Sequence, residues 1–262
     1  MESLQRERTY LKIRGRRHKM SEPEPPPTPR RRRHRRRPAS SSPDSSAGSA
    51  ESGDQKNAKK QTKLMGPTKA ETSILPPFPG LSPDHIHIPT TRAECQNAVD
   101  EILAARTGGF DTEAKPTFRK GQKCDGPHVV QFALTDRAFI FQLHRSECQK
   151  AAADLIASKQ VLKVGFGLKN DHKQIRTRLG ISLNHVLDLD QVFRKLGYSG
   201  QIGVRGAMGV LLMQCFKKSK STTTSNWALR ELTPRQLLYA ANDAYAALKI
   251  MEALQAEGHL ER

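Results

Sequence analysis

The stretch V-V-Q-F-A-L-T-D-R-A-F-I-F-Q-L, Val129 to Leu143, decides the fold class. Two apolar runs, rich in β-branched and aromatic residues, flank Thr135-Asp136-Arg137, and this pattern predicts a β-hairpin. Towards the C-terminus, Cys148 to Ala157 reads as a helix and Val161 to Phe166 as a buried strand. His172 to Leu179 reads as a helix closed by Gly180 at the C′ position, and Val186 to Leu189 as a short strand. Helices are expected over Asp190 to Leu196, Ala207 to Phe216 and Pro234 to Ala256, the last with Thr233 as N-cap and Pro234 at N1. Ahead of the hairpin, Ile86 to Ile88 reads as a strand. Thr91 opens a helix with Glu94 three residues on, a capping box. Gly108 and Gly109 are expected to end that helix. A hairpin followed by β-α-β alternation predicts an α/β domain, a mixed sheet with helices on its faces.

Charge divides the chain. Residues 1–60 hold 17 Lys+Arg against 7 Asp+Glu, a net of +10 out of +18 for all 262 residues. That first quarter is crowded with Pro, Ser and Arg and lacks a hydrophobic period, so it cannot bury enough apolar surface to offset chain entropy. Residues 1–73 are therefore expected to be a disordered basic tail, 74–85 a proline-rich tether and 86–258 a folded domain. Within the tail, R-R-R-R-H-R-R-R at Arg30 to Arg37 reads either as a nucleic-acid arm or as a solvated run. Met20 is a candidate alternative start. In the tether, Ile74, Leu75, Phe78 and Leu81 are expected to dock on the domain, since its three prolines exclude a regular helix or central strand. The cysteines Cys95, Cys124, Cys148 and Cys215 form no C-x-x-C pair, which argues against zinc and against a disulfide framework. No run reaches 18 apolar residues and no apolar leader core is visible. The expected setting is intracellular and cytoplasmic, with the nucleus or an organelle as the alternative in a eukaryote, and with no membrane partner; the oligomeric state is not legible.

Three short motifs carry candidate chemistry. Phe110 to Gly121, F-D-T-E-A-K-P-T-F-R-K-G, holds Asp111 and Glu113; Lys163 to Asp171, K-V-G-F-G-L-K-N-D, ends on Asp171; Tyr239 to Asp243 is Y-A-A-N-D. On a strand, Asp111 and Glu113 share one face. Their strand is weakly signalled, because Gly108-Gly109 has poor strand propensity. Asp171 falls at the C-terminal end of a buried strand, where open α/β sheets place ligands, though an Asp there also serves as a helix cap. Tyr239 and Asp243 share a helix face, and an acid on a largely buried helix is rare unless paired or metal-bound. Asp188 and Asp190 are read as structural, Asp190 as a helix cap. Magnesium takes oxygen ligands, and two such ions about 4 Å apart can activate a water and stabilise the leaving oxygen of an in-line displacement. In the loop K-K-S-K-S-T-T-T-S-N-W, Lys217, Lys218 and Lys220 are expected to contact a nucleic-acid strand, and Trp227 to anchor the loop in the core.

Together the motifs resemble the D-E-D-D exonucleases with a tyrosine in the third motif, the group holding ribonuclease D and Werner-type exonuclease domains. The likeness runs from about Ile86 to Leu254. F-D-T-E followed by K-P, and S-N-W-A followed by L-T-P-R-Q-L-L-Y-A-A-N-D-A-Y-A-A-L, look closest to the Werner-type branch. The resemblance implies a ribonuclease H-like fold and metal-dependent 3′-5′ hydrolysis of DNA or RNA, releasing nucleoside 5′-monophosphates. It implies two Mg2+ or Mn2+ ions held by Asp111, Glu113, Asp171 and Asp243, with Asp111 bridging both. Glu113 and Asp243 would complete the first ion and Asp171 would help hold the second. Tyr239, with Glu113, would orient the attacking water. The alternative is a non-catalytic nucleic-acid-binding module that uses the same fold and the basic arm.

Overall fold

The computed structural model describes residues 9, 11–16, 63–117, 121 and 125–261. The arginine run at 30–37 and Cys124 lie outside the described residues. In chain order the elements are α1 (Lys69–Ser73), β1 (Ile86–His87), α2 (Arg92–Ala105), β2 (Thr107–Glu113), β3 (Val129–Ala133) and β4 (Ala138–Gln142). There follow α3 (Ser146–Ala157), β5 (Leu162–Gly165), α4 (Lys169–Leu179), β6 (Val186–Asp188), α5 (Leu189–Lys195), α6 (Gly203–Leu211), α7 (Lys220–Thr223) and α8 (Pro234–Ala256).

The expected hairpin is present as β3 and β4, and it lies inside a six-stranded mixed sheet of order β1-β4-β3-β2-β5-β6. β2 is antiparallel to β3 and parallel to β5, while β5 is parallel to β6 and β1 to β4. One face packs Phe110, Val130, Phe132 and Phe141 against Ile102 of α2, Leu155 of α3 and Ile175 of α4. The opposite face is covered by α8. Its Ala240, Ala241 and Ala244 lie over Val129, Ala133 and Ile140, and its Leu248, Ile250 and Leu254 join Val164, Phe193 and Met208. Thr233 and Gln236 close a capping box at the α8 N-terminus, and Pro234 follows where its missing N–H costs nothing. Trp227 is buried in this layer, as expected of a loop anchor.

Gly108 and Gly109 do not end α2. Arg106, at φ 58°, closes the helix in the left-handed region, and both glycines lie inside β2. The reason is steric. A Cβ on Gly109 would stand 1.9 Å from the Ala244 carbonyl oxygen, so only glycine lets α8 rest directly on β2. Low strand propensity here is the consequence of a close helix–sheet approach.

Three other boundaries move. α6 stops at Leu211, because Met213 turns to φ 53° and Cys215 then pairs with the proline-rich strap; the expected helix to Phe216 is not formed. Asp188, not Asp190, caps α5, its carboxylate accepting the Asp190 N–H at 3.0 Å. α4 begins at Lys169, so Asp171 stands inside its first turn rather than ahead of it.

The proline-rich segment is a docked strap. Leu75 and Leu81 are buried, and Phe78 lies 5.9 Å, ring to ring, from both Phe216 and Tyr245. Backbone bonds join Cys215 N–H to the Pro76 carbonyl and Phe78 N–H to the Cys215 carbonyl. Asn242 clamps the strap end, accepting the Leu81 N–H at 2.6 Å and donating to the Leu81 carbonyl at 3.3 Å. Packing also reaches into residues assigned by composition to the tail. Leu64 bridges to Tyr198, the α1 cap pairs Thr68 with Glu71, and Glu71 accepts Lys12 and Arg16. Those partners hold the Glu71 carboxyl at about 2 despite its partial burial. Ile13, in the helical residues 11–16, is buried with Leu75 and Cys215. Among the described residues, no helix is long and apolar enough to cross a membrane.

Candidate active site

Strand register creates the site. Along β2, β5 pairs with Thr107 to Gly109 only, so β2 continues past the end of β5 from Phe110 onward. Asp111 and Glu113 stand on that overhang, on one face as the two-residue period requires. They meet Asp243 from α8: one carboxylate oxygen from each of Asp111, Glu113 and Asp243 lies within 4.8 Å of the other two. Gly109 makes this possible, because the contact that seats α8 at Ala244 is one residue from Asp243.

Asp171 approaches from the carboxyl end of β5, in the first turn of α4, where partial positive charge at a helix N-terminus favours an acid. It accepts a 2.5 Å hydrogen bond from the hydroxyl of Thr112, the residue between Asp111 and Glu113. Nothing in the local sequence around Thr112 marks it; only the start of α4 brings Asp171 to its hydroxyl. Asp188 secures the turn before Asp171 by accepting the Gly167 N–H at 3.0 Å, and buried Asp190 accepts the Gly203 N–H at 3.1 Å. Both brace backbone here, with Asp188 rather than the expected Asp190 as the helix cap. A cavity of about 410 Å³ opens beside the cluster, lined by Asp111, Asp243, Phe166, Asp190, Gln201 and Lys218.

Tyr239 lies half-buried on the same α8 face as Asp243, its hydroxyl accepting from Thr223 at 2.9 Å and its ring 5.9 Å from that of Trp227. The three loop lysines separate. Lys218 turns inward, its ammonium 2.6 Å from Asp243 and 5.8 Å from the Tyr239 ring centre. Lys217 lines a second cavity with Phe78, Phe216 and Tyr239, and Lys220 is exposed on α7.

The electrostatics are those of acids pressed together. Burial, then the charges of Asp243 and Asp171, drive the Asp111 carboxyl well above the ordinary range. Burial and Asp111 push Glu113 up to about 10. Burial raises Asp171, against the Thr112 hydrogen bond. Burial and Asp243 also raise the Tyr239 phenol. At Lys218 burial works against the ammonium, yet Asp243, Tyr239 and Asp111 hold its pKa above the usual lysine value. Crowded hard oxygen donors that already draw in a lysine ammonium fit a divalent cation such as Mg2+ or Mn2+.

A pH dependence follows for the chelated protein. Between the ordinary 4.5 and about 10, folded Glu113 keeps a proton that the unfolded chain has released. The unfolded state then binds fewer protons, so stability falls as pH rises through that window. The melting temperature in chelator should decline from about pH 5 to about pH 9, and manganese should flatten or reverse the slope. A rise over that range without metal would contradict the crowded-acid picture.

Comparison with known proteins agrees with this geometry. Residues 86–259 match the family model described as 3′-5′ exonuclease. A 3′-5′ exonuclease of Arabidopsis thaliana is 28% identical over 149 residues, 56% of this chain and 52% of the relative. The bifunctional 3′-5′ exonuclease/ATP-dependent helicase WRN of Mus musculus is 29% identical over 149 residues, 56% of this chain and 11% of that protein. The chain thus spans about half the length of the first relative and a small part of the second. Among solved structures, the Aedes aegypti Nibbler EXO domain superposes with a TM-score of 0.57 at 22% identity, covering 68% of this chain and 90% of that one. Trypanosoma brucei RNase D does so with a TM-score of 0.58 at 20% identity, covering 64% of each. The mixed sheet is therefore the ribonuclease H-like fold expected from the motifs, and the chain belongs to the 3′-5′ exonuclease family.

Proposed function

We propose that the protein is a metal-dependent 3′-5′ exonuclease that removes nucleoside 5′-monophosphates from the 3′ end of a DNA or RNA strand. The observation that carries this is the convergence of Asp111, Glu113 and Asp243 within 4.8 Å, inside the segment that matches the family. Asp111, Glu113, Asp171 and Asp243 would hold two Mg2+ or Mn2+ ions. A pair bound there supplies an activated water and charge stabilisation at the leaving oxygen. Tyr239 and Glu113 orient that water. Lys218, 2.6 Å from Asp243, is the loop lysine nearest the chemistry and would take a phosphate oxygen of the substrate. Lys217 and Lys220 contribute to strand affinity, and an intracellular, cytoplasmic place of action belongs to the same proposal.

Chromatography of the products tests the reaction type. Matched RNA and DNA strands incubated with manganese should yield nucleoside 5′-monophosphates as the first soluble product, and the faster strand identifies the preferred sugar. Short oligonucleotides as first product would overturn the exonuclease reading. Strand binding without any product would support the non-catalytic module. The basic arm is tested separately. Each phosphate neutralised by Lys or Arg adds about 0.7 to 0.9 to the slope of log affinity against log salt. Replacing the arginines of the run at 30–37 with glutamine, which spares buried Ile13 and the Lys12 and Arg16 partners of Glu71, should flatten that slope and leave the single-turnover rate at saturation nearly unchanged. An unchanged slope would show that the arm makes no strand contact.

A further inference from the structure

Gln131 sits fully buried in the middle of β3, and neither its amide nitrogen nor its amide oxygen has a hydrogen-bond partner. Its position is specific. Across the β2/β3 pair it stands directly opposite Asp111. Directly opposed residues project from the same face of the sheet, with Cβ atoms about 4.5–5.5 Å apart. The face is the one that α8 covers. Val129 and Ala133, two residues either side, and Ile140, the β4 partner, all belong to the core under that helix. Val130 and Phe132, the alternate residues, face the opposite core.

A buried amide with no partner costs free energy, and an apolar side chain of similar shape would avoid the cost. Here the orphaned amide lies beside an acid that itself accepts only one short hydrogen bond among those of the described residues, from the Thr112 N–H at 2.9 Å. Carboxylates that ligate metals are in turn hydrogen-bonded, and that outer bond fixes their orientation.

We infer that Gln131 is a positioning residue for Asp111: its amide N–H donates to the Asp111 carboxylate once a cation is bound, and so sets the direction in which that carboxylate ligates. This rests on the reading of Asp111 as a metal ligand. Gln131 touches neither substrate nor water in this role; it acts only through Asp111.

Gln131→Met tests it, since methionine keeps the shape and removes both polar atoms. In chelator its melting temperature should match or exceed that of wild type, because an unpartnered amide has been removed. Calorimetric titration with manganese should show affinity lowered by about 10–100-fold, the usual effect of losing an outer-shell partner. Manganese affinity within twofold of wild type would overturn the inference. A lower melting temperature in chelator would also overturn it, since it would mark an amide that serves the metal-free fold. If Gln131→Met does not fold, Gln131→Asn withdraws the amide by one methylene, and the same two affinity outcomes apply. Wild type and Asp111→Asn run alongside separate the two levels. Wild type that binds no manganese contradicts the metal-site reading and this inference with it. Wild type that binds, with Gln131→Met unchanged, contradicts this inference alone.

Discussion

Asp111→Asn should lower the rate of strand hydrolysis by at least about 10³-fold. Metal ions supply several kcal/mol of charge stabilisation, and each 1.36 kcal/mol is a factor of ten in rate. Asparagine keeps the volume and the Thr112 N–H contact but carries no charge with which to hold a divalent cation. The same substitution should not harm the fold. Asp111, half-buried, is pressed by the charges of Asp243 and Asp171, so a neutral amide in its place relieves that crowding in the chelated protein. The expected signature is an inactive protein whose melting temperature in chelator is equal to or above that of wild type. Activity within tenfold of wild type would remove Asp111 from the mechanism. Lost activity accompanied by a large drop in melting temperature would point to a structural role.

Gly109→Ala is the second large effect, and it acts through packing. The added Cβ would meet the Ala244 carbonyl oxygen at 1.9 Å and its carbon at 2.7 Å. These are backbone atoms of a 23-residue helix, so no side chain can swing aside. Overpacking of a core costs about 1–3 kcal/mol, and a clash with backbone belongs at or above the upper end. In a domain of this size about 3 kcal/mol corresponds to a fall of about 10 °C in melting temperature. Relief requires α8 to lift from β2, which carries Asp243 away from Asp111 and Glu113. Stability and activity should therefore fall together. Gly108→Ala is the control: its Cβ would meet the Ala133 carbonyl at 3.3 Å, a contact that a small shift relieves. A Gly109→Ala protein as stable as Gly108→Ala would contradict the close approach of α8.

The hairpin, the buried β5 strand and the full extent of α8 were legible because each rests on local signals: two β-rich runs around a polar turn, a bounded apolar run, and a Thr-Pro cap. The grouping of the candidate acids was legible for a related reason. Asp111 and Glu113 are two apart on a strand, and Tyr239 and Asp243 four apart on a helix, so each pair faces one way whatever the tertiary arrangement. What was not legible depends on distant partners. Gly108 and Gly109 look like a helix stop until α8 is seen lying on them. α6 ends at Leu211 because the strap claims Cys215, more than a hundred residues from its own partner Pro77. Residues 63–73 read as tail because their anchors, Tyr198 and the buried Ile13, lie elsewhere in the chain. Lys218 was grouped with Lys217 and Lys220 by composition, yet only the fold turns it onto Asp243. Thr112 and Gln131 carried no signal, since a hydroxyl between two acids and a glutamine in an apolar strand are each unremarkable alone.

The most direct measurement is a 5′-labelled strand assay in magnesium or manganese, comparing wild type with Asp243→Ala. Asp243 is the acid that α8 brings to the β2 pair, so its loss opens the cluster without touching β2. A ladder shortening one nucleotide at a time from the 3′ end, present in wild type, abolished by chelator and absent in Asp243→Ala, is the expected result. No ladder in either metal with strand binding intact, or an undiminished ladder in Asp243→Ala, would contradict the claim that these carboxylates form a working exonuclease centre.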